Sequence, residues 1–340
     1  MLTDRTSSLR GGSEIKVRWL FFVLWIYSLE VAAETRIGLG SCFNQEKSHS
    51  IWRTIGDADL DGFLFLGDNV YASRGFSRER LISAYERADA VIPWDRLGIV
   101  QATWDDHDFG QNDGGASFNQ KSLSLSLFWR FFGPRMEAVQ AAPDGVYNTN
   151  NRAIEGHVVQ FIALDTRSFR GRLKPTLVRN KPGAERYIPN SDTDQSMLGE
   201  AQWRWLEAQL RRPADIRIVM SSIQVIADGH GWERWGNLPH ERKRLLDLLR
   251  RRPESEVLLV SGDRHIGGVY QIEYAGERFT EITSSGLNMA WTRSDEYLPN
   301  QIGVPVREDH FAVVSIDSEG LDKVVWHDNK GSPITSFDLN

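Results

Sequence analysis

Short apolar runs recur along the chain, and each ends in a small or acidic polar residue. They are Arg36 to Cys42, Gly62 to Asp68, Gly98 to Asp106, Val158 to Asp165, Ile216 to Ser222 and Glu256 to Asp263. Rich in Val, Ile, Leu and Phe, they predict buried strands with polar residues just past their carboxyl ends. Between them the apolar spacing lengthens to three and four, which predicts helices over Ser77 to Ile92, Glu200 to Leu210 and His240 to Leu249. The stretch Ser122 to Phe132 fits both periods: it alternates as a strand does, yet Leu123, Leu127 and Phe131 also share a helix face. Nearer the C-terminus, Val269 to Tyr274, Phe279 to Thr283, Phe311 to Ile316 and Lys323 to Trp326 predict further strands. No internal repeat or low-complexity linker breaks the order, so residues 34–340 read as one layered α/β domain.

In open α/β sheets ligands sit in the crevice outside the carboxyl ends of the strands. The polar residues at those ends are Cys42, Asp68, Asp105 to Asp108, Asp165 to Arg167, Ser221 to Gln224 and Asp263 to His265. Separate strands delivering such residues to one edge predict a shared site.

The first residues read differently. Lys16 and Arg18 precede the apolar run Trp19 to Tyr27, and small residues close it at Val31-Ala32-Ala33. A basic segment, an apolar stretch and a small-residue end predict a secretory signal peptide over residues 1–33, with an uncleaved anchor as the alternative. The run is shorter than the roughly 20 apolar residues of a membrane span. The expected location is extracytoplasmic, secreted or periplasmic, with no stable membrane span after cleavage.

Composition narrows the chemistry. A formal net charge of -6 argues against a general binder of nucleic acid or anionic membrane. The single cysteine, Cys42, excludes an intramolecular disulfide and leaves three roles: buried filler, free thiol or ligand. Gly67-Asp68-Asn69-Val70-Tyr71 reads either as a tight turn or as a carboxylate at a strand end able to bridge two metals, with Tyr71 beside it. The segment from Trp104 to Asp113 holds four acids and His107 between aromatic residues, which favours a metal site over a solvated loop. Gly262-Asp263-Arg264-His265 can present a carboxylate and an imidazole to one point. Thiolate, phenolate, imidazole and carboxylate together favour trivalent iron, while the oxygen ligands near Asp106 suit a harder ion such as calcium. Arg167 is either one half of a surface salt bridge or a bidentate phosphate ligand. The Trp203 and Trp205 pair reads as packing.

Taken in order, Gly40-Ser41-Cys42, Gly67 to Tyr71, Trp104 to Asp108, Leu164 to Arg167, Leu198 to Leu206, Ser221-Ser222 and Gly262 to His265 resemble the PhoD-type alkaline phosphatase family of the metallophosphatase superfamily. The resemblance implies a four-layer α/β/β/α sandwich with two central mixed sheets. It implies Fe3+ held by Cys42, Asp68, Tyr71 and His265, and Ca2+, or another divalent ion, held by Asp68, Asp106 and Asp263. His107 would contact the phosphoryl group or protonate the leaving group, Asp108 would orient it, and Arg167 would hold the phosphate. Asp105 is the alternative to Asp106 as ligand. Two departures stand out: the β-rich domain that often precedes the catalytic part of such proteins is missing, and Arg264 is bulkier than the residue expected there.

The implied enzyme is a phosphoric-ester hydrolase, an alkaline phosphomonoesterase in which metals lower the pKa of a water to give an attacking hydroxide. The alternatives are a phosphodiesterase or phospholipase on the same site, and an exported binding protein with a degenerate site. The expected partner is a phosphate ester, with no nucleic acid as a specific partner.

Overall fold

The computed structural model describes residues 34–340 apart from 138, 140, 141, 253 and 294–297. The expected signal peptide therefore lies outside the described residues. The first sheet has β1 (Thr35–Gly40), β2 (Gly62–Leu66) and β3 (Ile99–Thr103), joined late in the chain by β13 (His310–Asp317), β14 (Gly320–Asp328) and β15 (Pro333–Asp338), in the order β15-β14-β13-β1-β2-β3. The second has β4 (Asn148–Ile154), β5 (His157–Ala163), β8 (Ile216–Ser221), β9 (Glu256–Ser261), β10 (Gly267–Tyr274), β11 (Glu277–Ser284) and β12 (Gln301–Val306), in the order β12-β10-β11-β9-β8-β5-β4. A small hairpin, β6 (Lys174–Pro175) and β7 (Tyr187–Ile188), stands apart from both. Both large sheets are mixed: β1, β2 and β3 run parallel, as do β5, β8, β9 and β11, with antiparallel strands at their flanks.

Strand side chains alternate between faces, and here both faces are covered. All five residues of β2 are buried. Phe63 and Phe65 pack with Trp52, Leu81 and Phe128, which come from the helices α1 (Ser50–Gly56), α2 (Arg78–Asp89) and α4 (Lys121–Phe132). Leu64 and Leu66 point the other way, to Phe161, Ile218 and Val260 of the second sheet. That sheet's outer face, with Ile162, Val219 and Leu259, is covered by Trp203 and Leu206 of α5 (Gly199–Leu210) and Leu245 of α6 (Pro239–Leu249). The layers are helix, sheet, sheet, helix. The ambiguous Ser-Leu stretch forms α4, because Leu127, Phe128, Phe131 and Phe132 then share the face that covers the first sheet.

Candidate metal centre

The strand ends behave alike. Past β1, Cys42 takes a left-handed conformation, φ 59°, and its amide donates to the carbonyl of Gly67. Past β2, Asp68 does the same at φ 51°, and beyond β9 so do Asp263 at 66° and His265 at 56°. A non-glycine residue pays conformational energy there, and such strain persists only where surrounding structure enforces it. Four of the expected ligands share this feature.

These turns bring the side chains together. The Cys42 Sγ lies 3.6 Å from Asp68 Oδ2 and 3.1 Å from Ser285 Oγ. The Tyr71 hydroxyl reaches Asp68 Oδ2 at 3.2 Å and His265 Nε2 at 3.5 Å. Cys42, Asp68 and His265 can each offer one ligand atom, all within 4.8 Å of one another. Gln45 clamps Tyr71 from behind, accepting from its amide and donating to its carbonyl. His265 is fixed on two sides: its amide donates to Ser285 Oγ, and its Nδ1 meets the Met289 carbonyl, which leaves Nε2 turned to the cluster.

A second group forms beside the first. Asp68, Asp106 and His107 also offer atoms within 4.8 Å of one another, so Asp68 belongs to both groups. A short helix, α3 (Asp106–Phe109), builds this side, with Asp105 as its N-cap. The choice between Asp105 and Asp106 has a geometric basis. Asp105 Oδ1 accepts from Ser222 at 2.6 Å and from Arg167 Nε at 2.7 Å, both wholly buried, while Asp106 faces Asp68. Asp106 Oδ2 also accepts the amide of Asp113. Asp263 lies outside these groups, although Asp105 and Asp106 act on it as like charges.

Two contacts differ from the expected roles. The oxygens of Asp108 accept from the Asn69 amide and side chain and from the Asp105 amide. The hydrogen-bonding partner of the His107 ring is Ser73, whose Oγ lies 2.6 Å from Nδ1. Tyr71 stacks on His107 with centroids 4.1 Å apart. The Arg167 guanidinium is fully buried and engaged by Asp105 and Glu233, so its nitrogens are directed into the protein. Arg264, the bulky departure, is buried with its guanidinium over Trp232 and Trp291, and Trp291 stacks on His265. Ser73, Ser285 and Glu233 carry no motif that could have flagged them. Asp113 lay within the acidic segment but had no role assigned.

The electrostatics ask for cations. Burial, then the charges of Asp106, Asp105, Asp108 and Asp263, push Asp68 well above the ordinary carboxylate range. Burial and Asp68 push the Cys42 thiol and the Tyr71 phenol up too. Burial lowers His265 to about 4, which keeps its imidazole neutral and able to ligate. Five acids and a thiol packed this closely cannot ionise together, and the nearby Arg167 is already paired. Bound metal ions would supply the missing positive charge, so the donor set fits them.

Two stacked mixed sheets with this cluster at their strand ends define a metal-dependent phosphoesterase of the metallophosphatase fold. The profile of the PhoD-like phosphatase family matches residues 99–311, more than half of the chain. The chain belongs to that family, and it is a phosphoric-ester hydrolase. The solved structure of PhoD superposes on 90% of this chain and 68% of its own, at 14% identity and a TM-score of 0.63. Purple acid phosphatase PPD1 from yellow lupin (Lupinus luteus) seeds superposes on 90% of this chain at 12% identity and a TM-score of 0.58. This chain spans 53% of that one, about half its length. At these identities the likeness is one of fold. No curated protein sequence matches the chain. Among the described residues, no helix is long and apolar enough to cross a membrane.

Proposed function

We propose that this protein is an exported alkaline phosphomonoesterase whose catalytic domain is residues 34–340. In this reading Cys42, Asp68, Tyr71 and His265 hold Fe3+, and Asp68, Asp106 and Asp263 hold Ca2+ or another divalent ion. One observation carries it: a thiol, a phenol and an imidazole converge on a carboxylate that also belongs to a second, oxygen-rich group. That donor set suits a trivalent ion beside a harder divalent one. Bound, the two ions would neutralise phosphate charge and activate a water.

The protein's own groups do the rest. His107 is partly exposed, and its ring is held by Ser73 on one side and by Tyr71 across its face. Its Nε2 is left free near Asp106 Oδ1, at 3.8 Å, positioned to give a proton to the departing alkoxide. Arg167 serves as scaffold, fixing Asp105 at the start of α3 and thereby the direction of Asp106. Export rests on the residues before Glu34 and on the family's habit.

The test is elemental analysis of purified protein alongside turnover of p-nitrophenyl phosphate and bis-p-nitrophenyl phosphate. We expect iron and a second metal, a visible band that Tyr71→Phe removes, and faster monoester hydrolysis. A colourless, iron-free and active protein refutes the iron assignment. Preference for the diester refutes the monoesterase reading, and a metal-free, inactive protein makes it a binding protein.

A further inference from the structure

The hairpin β6–β7 is built unlike the rest of the surface. Its stem is pinned: Thr176 is buried and donates its amide to the Arg186 carbonyl, and the amides of Arg186 and Tyr187 both donate to the Gly231 carbonyl. Asn180 donates to Glu185 and Ala184 to Lys181, which closes the far end into a defined turn. The segment is therefore held in shape. On its outgoing arm, just past Thr176, Leu177 is 98% exposed and Val178 54% exposed. They are the one sequence-adjacent pair of large exposed apolar side chains among the described residues.

Charge surrounds this pair. Lys174, Arg179 and Lys181 all lie within four residues of it, all are exposed, and none joins an ion pair among the described residues. The chain as a whole carries a net charge of -6, so three unpaired cations around an aliphatic pair are a local reversal of sign. Aliphatic side chains fully in water are unfavourable unless something covers them. A surface that accepts both features is anionic outside and hydrocarbon within. At physiological salt, charges further than about 8 Å away are screened, so the acidic body of the protein does not cancel a projecting basic hairpin.

We propose that the β6–β7 hairpin docks on an anionic lipid surface, with Leu177 and Val178 entering the headgroup and acyl boundary and Lys174, Arg179 and Lys181 meeting lipid phosphates. Docking there has a consequence for the candidate centre. Arg186 and Tyr187 on the return strand contact Asp113 Oδ2 at 2.7 and 2.8 Å, and the Asp113 amide in turn donates to Asp106. An open cleft of about 580 Å³ lies between, lined by Asp113, Arg170, Arg172 and Tyr187. The lipid surface would lie at the rim of the metal centre.

The test is cosedimentation of the full chain with vesicles of phosphatidylcholine alone and of phosphatidylcholine with 30% phosphatidylglycerol. Each basic residue at an anionic surface is worth about 1 kcal/mol, roughly a fivefold change in affinity. The three together set an expected preference of about a hundredfold for the anionic vesicles, lost as NaCl rises towards 0.5 M. Leu177→Asp and the triple variant Lys174→Gln, Arg179→Gln, Lys181→Gln should each lower vesicle affinity tenfold or more. Turnover of p-nitrophenyl phosphate and thermal melting should stay as in the wild type, which shows that both variants are folded. Comparing variant with wild type cancels any binding through residues 1–33. Equal binding to both vesicle types, or variants that bind like the wild type, overturns the proposal.

Discussion

Arg167 separates two accounts of the site. Sequence reasoning placed its guanidinium on the substrate phosphate, whereas the structure directs it to Asp105 and Glu233, with the side chains of Arg167 and Asp105 both wholly buried. Replacing it by methionine keeps most of the volume and removes the charge. Removing one partner of a buried pair costs about 3–5 kcal/mol, because the other charge is left unpaired. Glu233 would keep the Arg170 guanidinium at 2.9 Å, while Asp105 would keep neutral donors such as the Ser222 hydroxyl, so the loss falls mainly on Asp105. For a chain of 340 residues the unfolding entropy is roughly 0.7 kcal/mol/K, which converts the loss to a fall in Tm of about 4–7 °C. The sign of its pH dependence follows from linkage. Without the guanidinium the folded-state pKa values of Asp105 and Glu233 rise further above their unfolded values. A carboxyl raised in the folded state destabilises progressively as pH climbs from its unfolded towards its folded pKa. The deficit should therefore be smaller at pH 5.5 than at pH 8.5. The assay is thermal unfolding of chelator-treated Arg167→Met and wild type at those two pH values, with KM for p-nitrophenyl phosphate measured on the metal-loaded proteins. An unchanged Tm at pH 8.5 together with a tenfold rise in KM would show that Arg167 serves the phosphate and not the scaffold.

Other groups give shorter tests. Ser73→Ala should lower kcat about tenfold with little change in KM, and more for alkyl phosphates than for p-nitrophenyl phosphate, since a poor leaving group depends most on a well-held His107; equal losses on both substrates would remove that role. Cys42→Ser should lower bound iron in elemental analysis while Tm falls by only a few degrees, and full iron occupancy would exclude the thiol as a ligand. The metal-free protein should lose stability between pH 6.5 and 8, because Asp108, raised to about 8, and at the lower end Glu233, raised to about 7, still hold protons in the folded state that the unfolded chain has released. That window is chosen because His265 and His310, each lowered to about 4, add stability as pH rises through 4 to 6.5 and would mask the effect below it. Asp108→Asn should flatten the decline in Tm across pH 6.5–8, and an unchanged slope would mean that Asp108 is not the group titrating.

What the sequence showed depended on burial. Strands covered on both faces are largely apolar, and β2, β5, β8 and β9 were plain for that reason, although β5 also buries Gln160 and β8 Arg217. β4 was not, because Asn148, Asn150 and Asn151 look like turn residues. In place, Asn148 bridges the sheets by donating to the Ala102 carbonyl, and β4 is an edge strand paired only to β5. β12 and β15, also edges, alternate too weakly to be seen, with Val304 78% exposed. β11 was legible over Phe279 to Thr283 despite its buried Glu281, which accepts the amides of Val225, Ile226 and Ala227 and so organises the loop past β8.

The candidate site shows the same division more sharply. Its residue types and order were legible, since Cys42, Asp68, Asp106, Asp263 and His265 all sit just past apolar runs. Their conformation was not. Left-handed backbone at four non-glycine positions cannot be read from composition, because glycine is what that conformation ordinarily selects. The positions accept the strain because neighbours on other strands hold them: Gly67 accepts the Cys42 amide, Asp68 accepts from the His107 amide, and Ser285 accepts from the His265 amide. Each of those neighbours is distant in sequence from the residue it fixes, except that Gly67 adjoins Asp68. A strand that simply continued would send Cys42 and Asp68 along the sheet edge. Turned by a positive φ, both side chains meet each other past the strand ends, where Tyr71 and His265 join them. The glycines here serve close approach: a Cβ on Gly262 would lie 2.8 Å from the Leu66 carbonyl, and on Gly67, itself at φ 99°, 2.9 Å from the Asp105 amide. The ligand positions keep side chains and carry strain, while the residues beside them give up side chains so that the strands can converge.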